Sequence, residues 1–113
     1  MSIERIQPGP RMSQAVVHGD TVYLAGQVAE GDTVEAQSRA ALQRVDELLA
    51  SVGSDKSKLL SATIYLADIA DFAAMNSVWD EWVDGANPPA RATVEAKLAT
   101  PDFRVEFAVI AAV

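Results

Sequence analysis

The feature that most constrains this chain is a pair of adjacent prolines, followed by a run that alternates like a β-strand. Pro88 and Pro89 fix their own φ angles and lack N–H donors, so a helix before them has to end. From Arg91 onward, charged or hydroxyl-bearing side chains alternate with small apolar ones. This period of two predicts a strand with Arg91, Thr93 and Glu95 on one face. The strand therefore starts with an arginine, directly after a rigid turn.

Hydrophobic periodicity along the rest of the chain predicts further strands and two helices. Two β-rich runs joined by Gly19 and Asp20 are typical of a hairpin, and residues 2–11 are expected to be extended or looped, with room for a short strand first. Apolar residues at helical spacing predict two amphipathic helices. The order ββ-α-β-α-ββ, with a hairpin at each end, indicates an α+β fold in which two helices cover one face of a mixed sheet. In chain order the predicted elements are strands 13–18 and 21–25, helix 34–52, strand 59–66, helix 72–83, and strands 91–98 and 103–112.

Length and residue types limit the size of the core. The chain of 113 residues suits a single domain, residues 1–113. Such a domain buries roughly two-thirds of its unfolded surface. Only two Trp, two Tyr and three Phe supply large rings, so alanine and valine do much of the filling. A short chain with a core of small side chains often gains further burial by forming an oligomer.

Several classes of protein are excluded or disfavoured by what the sequence lacks. The chain has no cysteine, which excludes disulfides, thiolate nucleophiles and cysteine metal sites. No apolar run approaches the roughly 20 residues that span a bilayer, and residues 1–10 lack a signal pattern, so we expect a cytoplasmic protein without membrane contact. A net charge of −7 without a basic cluster disfavours nucleic-acid binding. No phosphate loop, dinucleotide fingerprint or metal-ligand cluster predicts a cofactor.

Arg91 is the first candidate for chemistry. Its guanidinium is always charged and presents a planar fork of donors that suits a carboxylate. The stiff turn before it would hold that fork still, so Arg91 is a candidate anchor for a small carboxylated substrate. From spacing alone, the alternative is a salt bridge to one of the sixteen acidic residues of the chain itself.

Glu106 is the second candidate, on the last predicted strand. One face of that strand is apolar throughout, and the face that carries Glu106 becomes apolar soon after it. A carboxylate that is partly shielded from water suits proton transfer near neutral pH. The alternative is a cross-strand ion pair with Lys97 or Arg104. The single histidine, His18, precedes the hairpin turn and has neither triad partners nor metal-binding partners.

Three runs of the sequence share a recognisable pattern: Leu24–Val28, Asn87–Glu95 and Val105–Phe107. In order and spacing they resemble the RidA/YjgF/YER057c/UK114 family of reactive-intermediate deaminases. The most specific part is a Pro-x-Arg-x-x-Val-Glu strand followed by Glu106, fifteen residues after the arginine. The run Asp68–Asn76 also resembles the start of the family's second helix, so the resemblance extends across nearly the whole chain.

The resemblance implies a chorismate-mutase-like α+β fold, with two helices on one side of a mixed sheet. Members of the family form homotrimers in which the sheets pack around the threefold axis and the helices lie outside. Their ligand clefts lie between neighbouring subunits. Small apolar side chains on the sheet face that the helices leave free are consistent with such an assembly.

The activity that the resemblance implies is hydrolysis of 2-imino acids, or their enamine tautomers, to 2-oxo acids and ammonia. By resemblance, Arg91 pairs with the substrate carboxylate, and Glu106 positions or activates water near the imine carbon. By the same resemblance, backbone groups around Gly26 and Thr93 line the pocket, and neither a metal nor an organic cofactor is needed. The expected partners are small 2-imino and 2-oxo acids and further copies of the chain.

Some positions of the expected substrate-binding set depart from the family pattern. Met12 stands about where many active members have a tyrosine, and Ala25 replaces a small hydroxyl residue before the glycine matched by Gly26. Thr93 stands where the family has cysteine or serine. The run Arg11–Ser13 resembles a less-studied branch of the family. The carboxylate anchor is intact, but these changes alter the other side chains expected around the substrate.

Two other functions are weighed against this activity. The loss of tyrosine and hydroxyl groups near the cleft favours a non-catalytic trimer that senses a small carboxylate or acts as a chaperone. Ribonuclease activity, a historical label of the family, is disfavoured by the acidic charge and by the absence of a basic patch or a histidine pair.

Overall fold

A computed structural model describes all residues of the chain, 1–113. Six strands form a single sheet, and two helices complete the fold. This arrangement confirms the predicted α+β class. Short 3₁₀ turns precede the fourth strand and the second helix. The elements are β1 (Ile3–Pro8), β2 (Ser13–His18), β3 (Thr21–Leu24), α1 (Val34–Ser51), β4 (Leu59–Leu66), α2 (Phe72–Trp82), β5 (Ala90–Glu95) and β6 (Val105–Ala112).

The strand order is β1-β2-β3-β6-β4-β5, which corrects one expectation from the sequence. The N-terminal segment forms a strand that pairs antiparallel with β2 at one edge of the sheet. The expected C-terminal hairpin does not form, because β5 pairs with β4 in parallel and β6 inserts between β3 and β4. A parallel pair requires a crossover, which α2 supplies, and the chain then has to pass β4 before β6 can join the sheet.

Local interactions set both ends of α1 and the turn that precedes α2. The Thr33 side chain accepts a 3.0 Å hydrogen bond from the Ala36 amide and caps the start of α1. Gly53 ends that helix in the left-handed region, with φ of 76°, as the glycine after the predicted helix indicated. Asp68 accepts from the Ala70 amide at 2.9 Å and caps the 3₁₀ turn that leads into α2.

The core lies between the two helices and one face of the sheet. Val105, Phe107 and Val109 alternate along β6 on this face and are buried, as the sequence predicted. On β4, Ala62 and Ile64 pair with β6 residues of the same face and are also buried. No helix of the chain is long and apolar enough to span a membrane.

A buried amide links α1 to the loop before β6. Gln37 is off the apolar stripe of the helix by sequence, yet it is almost fully buried. Its Nε2 donates to the Gly31 carbonyl at 3.1 Å and to the Asp102 carbonyl at 2.8 Å. Its Oε1 accepts from the Arg104 amide at 2.8 Å. Because a buried amide is stable only when its polar atoms are paired, these bonds hold the β5–β6 loop in one place.

The opposite face of the sheet carries no helix. We call it the open face and define it by Tyr23, Tyr65, Val94, Glu106 and Ile110, which the strand register places on the same side. Tyr23 is 47% exposed and Val94 is 43% exposed. An apolar sheet surface of this kind, left uncovered, is typical of a protein that associates through it.

Candidate functional site

Arg91 lies on the helix-covered side of the sheet, against α2. Its Nη1 donates a 2.7 Å hydrogen bond to Oδ1 of Asn76. Its guanidinium carbon lies 5.4 Å from the ring centroid of Trp79 and 5.8 Å from that of Phe72. A cation over an aromatic ring gains about 0.5–2 kcal/mol, more where water is excluded. Two rings and one amide oxygen therefore fix the direction of this half-buried guanidinium.

Regular spacing on two elements produces this arrangement. Phe72, Asn76 and Trp79 are four and three residues apart, so they lie on one face of α2. Arg91 pairs with Ala62 of β4 and shares its face, which is the face that packs against the helices. The predicted orientation of Arg91 relative to its own strand is confirmed.

The protein partner of Arg91 is a neutral amide oxygen. The sequence left open a salt bridge to an acidic residue of the chain, but the hydrogen bond goes to Asn76 instead. Asn76 uses one donor of the fork, and the charge of the guanidinium is not neutralised by this contact. Such a group can still take up a carboxylate.

The two other residues on this face of β5 have different environments. Glu95 Oε2 accepts a 3.0 Å hydrogen bond from the Ile69 amide, which ties the strand to the turn before α2. The Thr93 hydroxyl is buried and has no hydrogen-bond partner. A contact between Thr93 and a ligand would therefore use its backbone rather than its hydroxyl.

Glu106 lies on the open face, beside Gly26. A Cβ atom placed on Gly26 would be only 2.6 Å from the Glu106 carboxyl carbon, so the glycine is what lets this half-buried side chain lie here. Two backbone hydrogen bonds between Gln27 and Phe107, of 2.8 and 3.0 Å, hold the two segments together. Across the ladder, Glu106 is opposite Tyr65 of β4, not Lys97 or Arg104 as the alternative interpretation expected.

Met12 and Ala25 belong to the same end of the sheet as Gly26. The Ala25 amide donates to the Gln14 carbonyl at 2.8 Å, which extends the β2–β3 pairing toward the turn that contains Met12. Met12 is 49% exposed, and Ala25 is half-buried. Apolar side chains therefore lie next to Gly26 at this end of the sheet. No group of three or more His, Cys, Asp or Glu side chains could hold a metal ion.

The register keeps Arg91 and Glu106 of one chain apart. Arg91 is level with Ala62, and Glu106 is level with Tyr65, three residues further along β4. This offset is about 10 Å, and β4 itself separates β5 from β6 by about 10 Å more. The two side chains also leave opposite faces of the sheet. Both residues were candidates from the sequence, but the fold of a single chain does not bring them together.

Sequence reasoning missed three neighbours of the two candidates. Asn76 and Phe72 contact Arg91, and Tyr65 is opposite Glu106. Trp79 is both buried in the core and in contact with the guanidinium. A polar residue at helical spacing between two aromatic ones was the available signal for Asn76.

Comparison with known proteins decides the family. A family model described as "Endoribonuclease L-PSP" matches residues 2–113. The chain belongs to the RidA/YjgF family. A RutC family protein of Haemophilus influenzae is 50% identical, over 98% of each chain. The RutC family protein YoaB of Escherichia coli is 44% identical over the full length of both chains.

Solved structures of the RidA/YjgF family share the fold. A YjgF protein family member from Neisseria meningitidis has a TM-score of 0.98 at 45% identity, covering 99% of this chain and 95% of the other. A YjgF/YER057c/UK114 family member from Mycobacterium tuberculosis has a TM-score of 0.90 at 28% identity, covering 99% and 100%. The expected fold is thereby confirmed.

Substitution of Asn76 should change carboxylate affinity in a fixed order. Asn76→Ala removes the acceptor that orients Arg91, and we expect about tenfold weaker binding of 2-oxobutanoate, equivalent to one charge-assisted hydrogen bond. Asn76→Asp, of nearly the same shape, supplies an internal carboxylate that competes for the guanidinium and should weaken binding further. Calorimetric titration measures both, with the exposed neighbour Ser77→Ala as control. Equal or tighter binding by the aspartate variant would contradict this role.

Substitution of Gly26 should displace Glu106 without unfolding the chain. The Cβ of Gly26→Ala would overlap the Glu106 side chain, so we expect the carboxylate to move and the imine hydrolysis that the family resemblance implies to fall by up to about a hundredfold. Gly85→Ala is the matched control, because a Cβ there meets no atom within 4 Å. Thermal denaturation checks that both variants fold. Full activity in Gly26→Ala would show that the position of this carboxylate is unimportant.

Proposed function

We propose that this protein hydrolyses reactive 2-imino acids, or their enamine tautomers, to 2-oxo acids and ammonia. The observation that carries the proposal is the guanidinium of Arg91, oriented by Asn76 and two aromatic rings and left without an acidic partner. A 2-imino acid has a carboxylate next to its reactive carbon. Binding that carboxylate to a fixed fork would place the carbon at a defined distance from the catalytic water.

In the proposed reaction Glu106 acts on water. It accepts a proton as the water oxygen bonds to the imine carbon, and the product of this step is a carbinolamine. The imine reacts in its protonated form, so return of this proton to the carbinolamine nitrogen makes ammonia the leaving group. As the C–N bond breaks, its electron pair leaves with nitrogen and the carbinolamine hydroxyl gives its proton back to Glu106, which leaves a 2-oxo acid. The imine is already electrophilic, so the main requirements are to position the substrate and the water and to shuttle protons through one carboxylate. No metal or organic cofactor enters this scheme.

The proposed site is shared between subunits of a homotrimer. Arg91, with Asn76 and the Thr93 backbone, comes from one subunit, and Glu106, with Gly26, comes from its neighbour. The separation of these groups on opposite faces of one chain supports this assignment. In a closed ring, a surface of each subunit meets a different surface of the next, so the α2–β5 side of one can face the open face of another.

Met12 and Ala25 complete the proposed cleft as apolar walls. They flank Gly26, so they would contact the part of the substrate beyond its reacting carbon. A cytoplasmic trimer of this kind would remove reactive intermediates, and so limit metabolite damage, before they modify other enzymes.

The test is an imine-trapping assay. An amino-acid oxidase generates the imine, semicarbazide traps it, and the protein should lower the yield of trapped product in proportion to its concentration. A trapping yield equal to that with buffer alone, measured beside an active member of the family, would overturn the proposal.

A non-catalytic carboxylate sensor or chaperone is the second candidate. The buried Thr93 hydroxyl and the apolar Met12 and Ala25 favour it, because they leave few polar groups for proton transfer. Saturable binding of 2-oxobutanoate without imine turnover would support it over the enzyme. Ribonuclease activity, suggested by the description of the family model, has less support, since the net charge is −7 and the single His18 is exposed at a hairpin turn.

A further inference from the structure

A polar cavity of about 290 Å³ lies on the α1 side of the sheet, where α1 meets the ends of the first strands. Arg44, Glu47 and Leu48 contribute from α1, at spacings of three and four residues that put them on one face of the helix. The volume suits a small metabolite. Three glutamines form the opposite wall: Gln7, Gln14 and Gln27.

Gln27 presents an unpaired acceptor at the cavity wall. The side chain is only 5% exposed, and its Nε2 donates to Oε1 of Gln14 at 3.1 Å and to the Ala25 carbonyl at 2.9 Å. Both amide protons are thereby used, while its Oε1 accepts no hydrogen bond from the protein. An amide oxygen that is accessible at a cavity wall and has no donor from the protein can accept a hydrogen bond from a ligand or from water.

Two oppositely charged side chains, Arg44 and Glu47, lie at the mouth of the cavity. Arg44 Nη1 donates to the Val28 carbonyl at 2.9 Å rather than to Glu47, so a backbone contact holds the guanidinium in place. Its other donors and the exposed Glu47 carboxylate remain open to a ligand. Leu48 is buried and adds an apolar surface beneath them.

We propose that this cavity binds a free α-amino acid as its zwitterion. The carboxylate pairs with Arg44, and the ammonium group donates to Glu47 and to Oε1 of Gln27. The amide of Gln14 supplies a further donor, and a small side chain rests on Leu48. This chemistry separates the cavity from the Arg91 site, which matches a carboxylate without an ammonium group. Since α1 covers the face opposite to the open face, trimer formation through the open face leaves the cavity accessible.

Nuclear magnetic resonance tests this site in the wild-type protein. L-Alanine should shift the backbone amide signals of Gln27, Arg44 and Glu47, whereas propanoate and ethylamine, each lacking one of the two charges, should need at least about tenfold higher concentrations for the same shifts. Shifts of the amide signals of Asn76 and Thr93 report separately on binding at the Arg91 site. The outcome is therefore independent of imine hydrolysis.

Variants of exposed residues then assign the contacts. Arg44→Gln and Glu47→Gln should each weaken L-alanine binding by about tenfold, the effect of losing one charge-assisted hydrogen bond. Arg39→Gln, another exposed arginine on α1, should leave the affinity unchanged. Equal shifts with propanoate, no shifts with L-alanine, or an unchanged affinity in Glu47→Gln would overturn the proposal.

Discussion

Replacement of Arg91 by alanine should abolish imine hydrolysis and 2-oxo acid binding together. A guanidinium that grips a carboxylate through two charge-assisted hydrogen bonds contributes about 3 kcal/mol or more, so we expect a loss of at least about a hundredfold in kcat/KM. Arg91→Lys should recover little of this, because an ammonium group is a point charge and lacks the planar fork. The trapping assay and calorimetry with 2-oxobutanoate measure the two effects.

The control for this experiment is Arg39→Ala, which removes an exposed arginine from α1. Because Arg91 also packs over Trp79, circular dichroism has to show that Arg91→Ala keeps its fold. A folded Arg91→Ala variant with ordinary activity would remove the carboxylate anchor from the mechanism. Loss of activity in Arg39→Ala as well would point to a general effect of charge.

Two inactive variants should restore activity when combined in one trimer. In the proposed composite site, Arg91→Ala damages one half and Glu106→Ala the other. A mixed trimer contains interfaces at which an intact Arg91 meets an intact Glu106 of the neighbouring subunit. Random assembly of equal amounts gives about a quarter of such intact sites, so the mixture should reach about a quarter of wild-type activity.

Complementation separates the composite site from a site within one subunit. Each variant alone should be at least about a hundredfold less active, the usual contribution of an anchor or a general base. Size-exclusion chromatography establishes the trimer, and simple mixing without subunit exchange is the control. If co-expressed chains form mixed trimers and stay inactive, Arg91 and Glu106 do not cooperate across an interface.

The helices and most strands were predictable from the sequence because their signals are local. The α1 helix begins at Val34, as predicted, and the β4 strand runs over Leu59–Leu66, as predicted. The last two predicted strands were too long at their ends, since β5 stops at Glu95 and β6 starts at Val105. Alternation alone does not show where pairing with a neighbouring strand stops.

The two candidate residues were also predictable, but their surroundings were not. Arg91 and Glu106 have distinctive chemistry at a recognisable spacing. Asn76 is an ordinary polar residue on a helix, and it acquires its role only because α2 packs against β5. Likewise, the glycine at position 26 makes room for Glu106 only because the backbone of Gln27 pairs with Phe107.

The sequence by itself determined where the two helices and most of the strands lie and which side chains alternate together, because those properties depend on neighbours within a few positions. Only the tertiary structure decided that β6 lies between β3 and β4, and therefore that Arg91 and Glu106 leave opposite faces of one sheet. Pairing between strands distant in the chain depends on how the whole core packs and on the parallel crossover through α2.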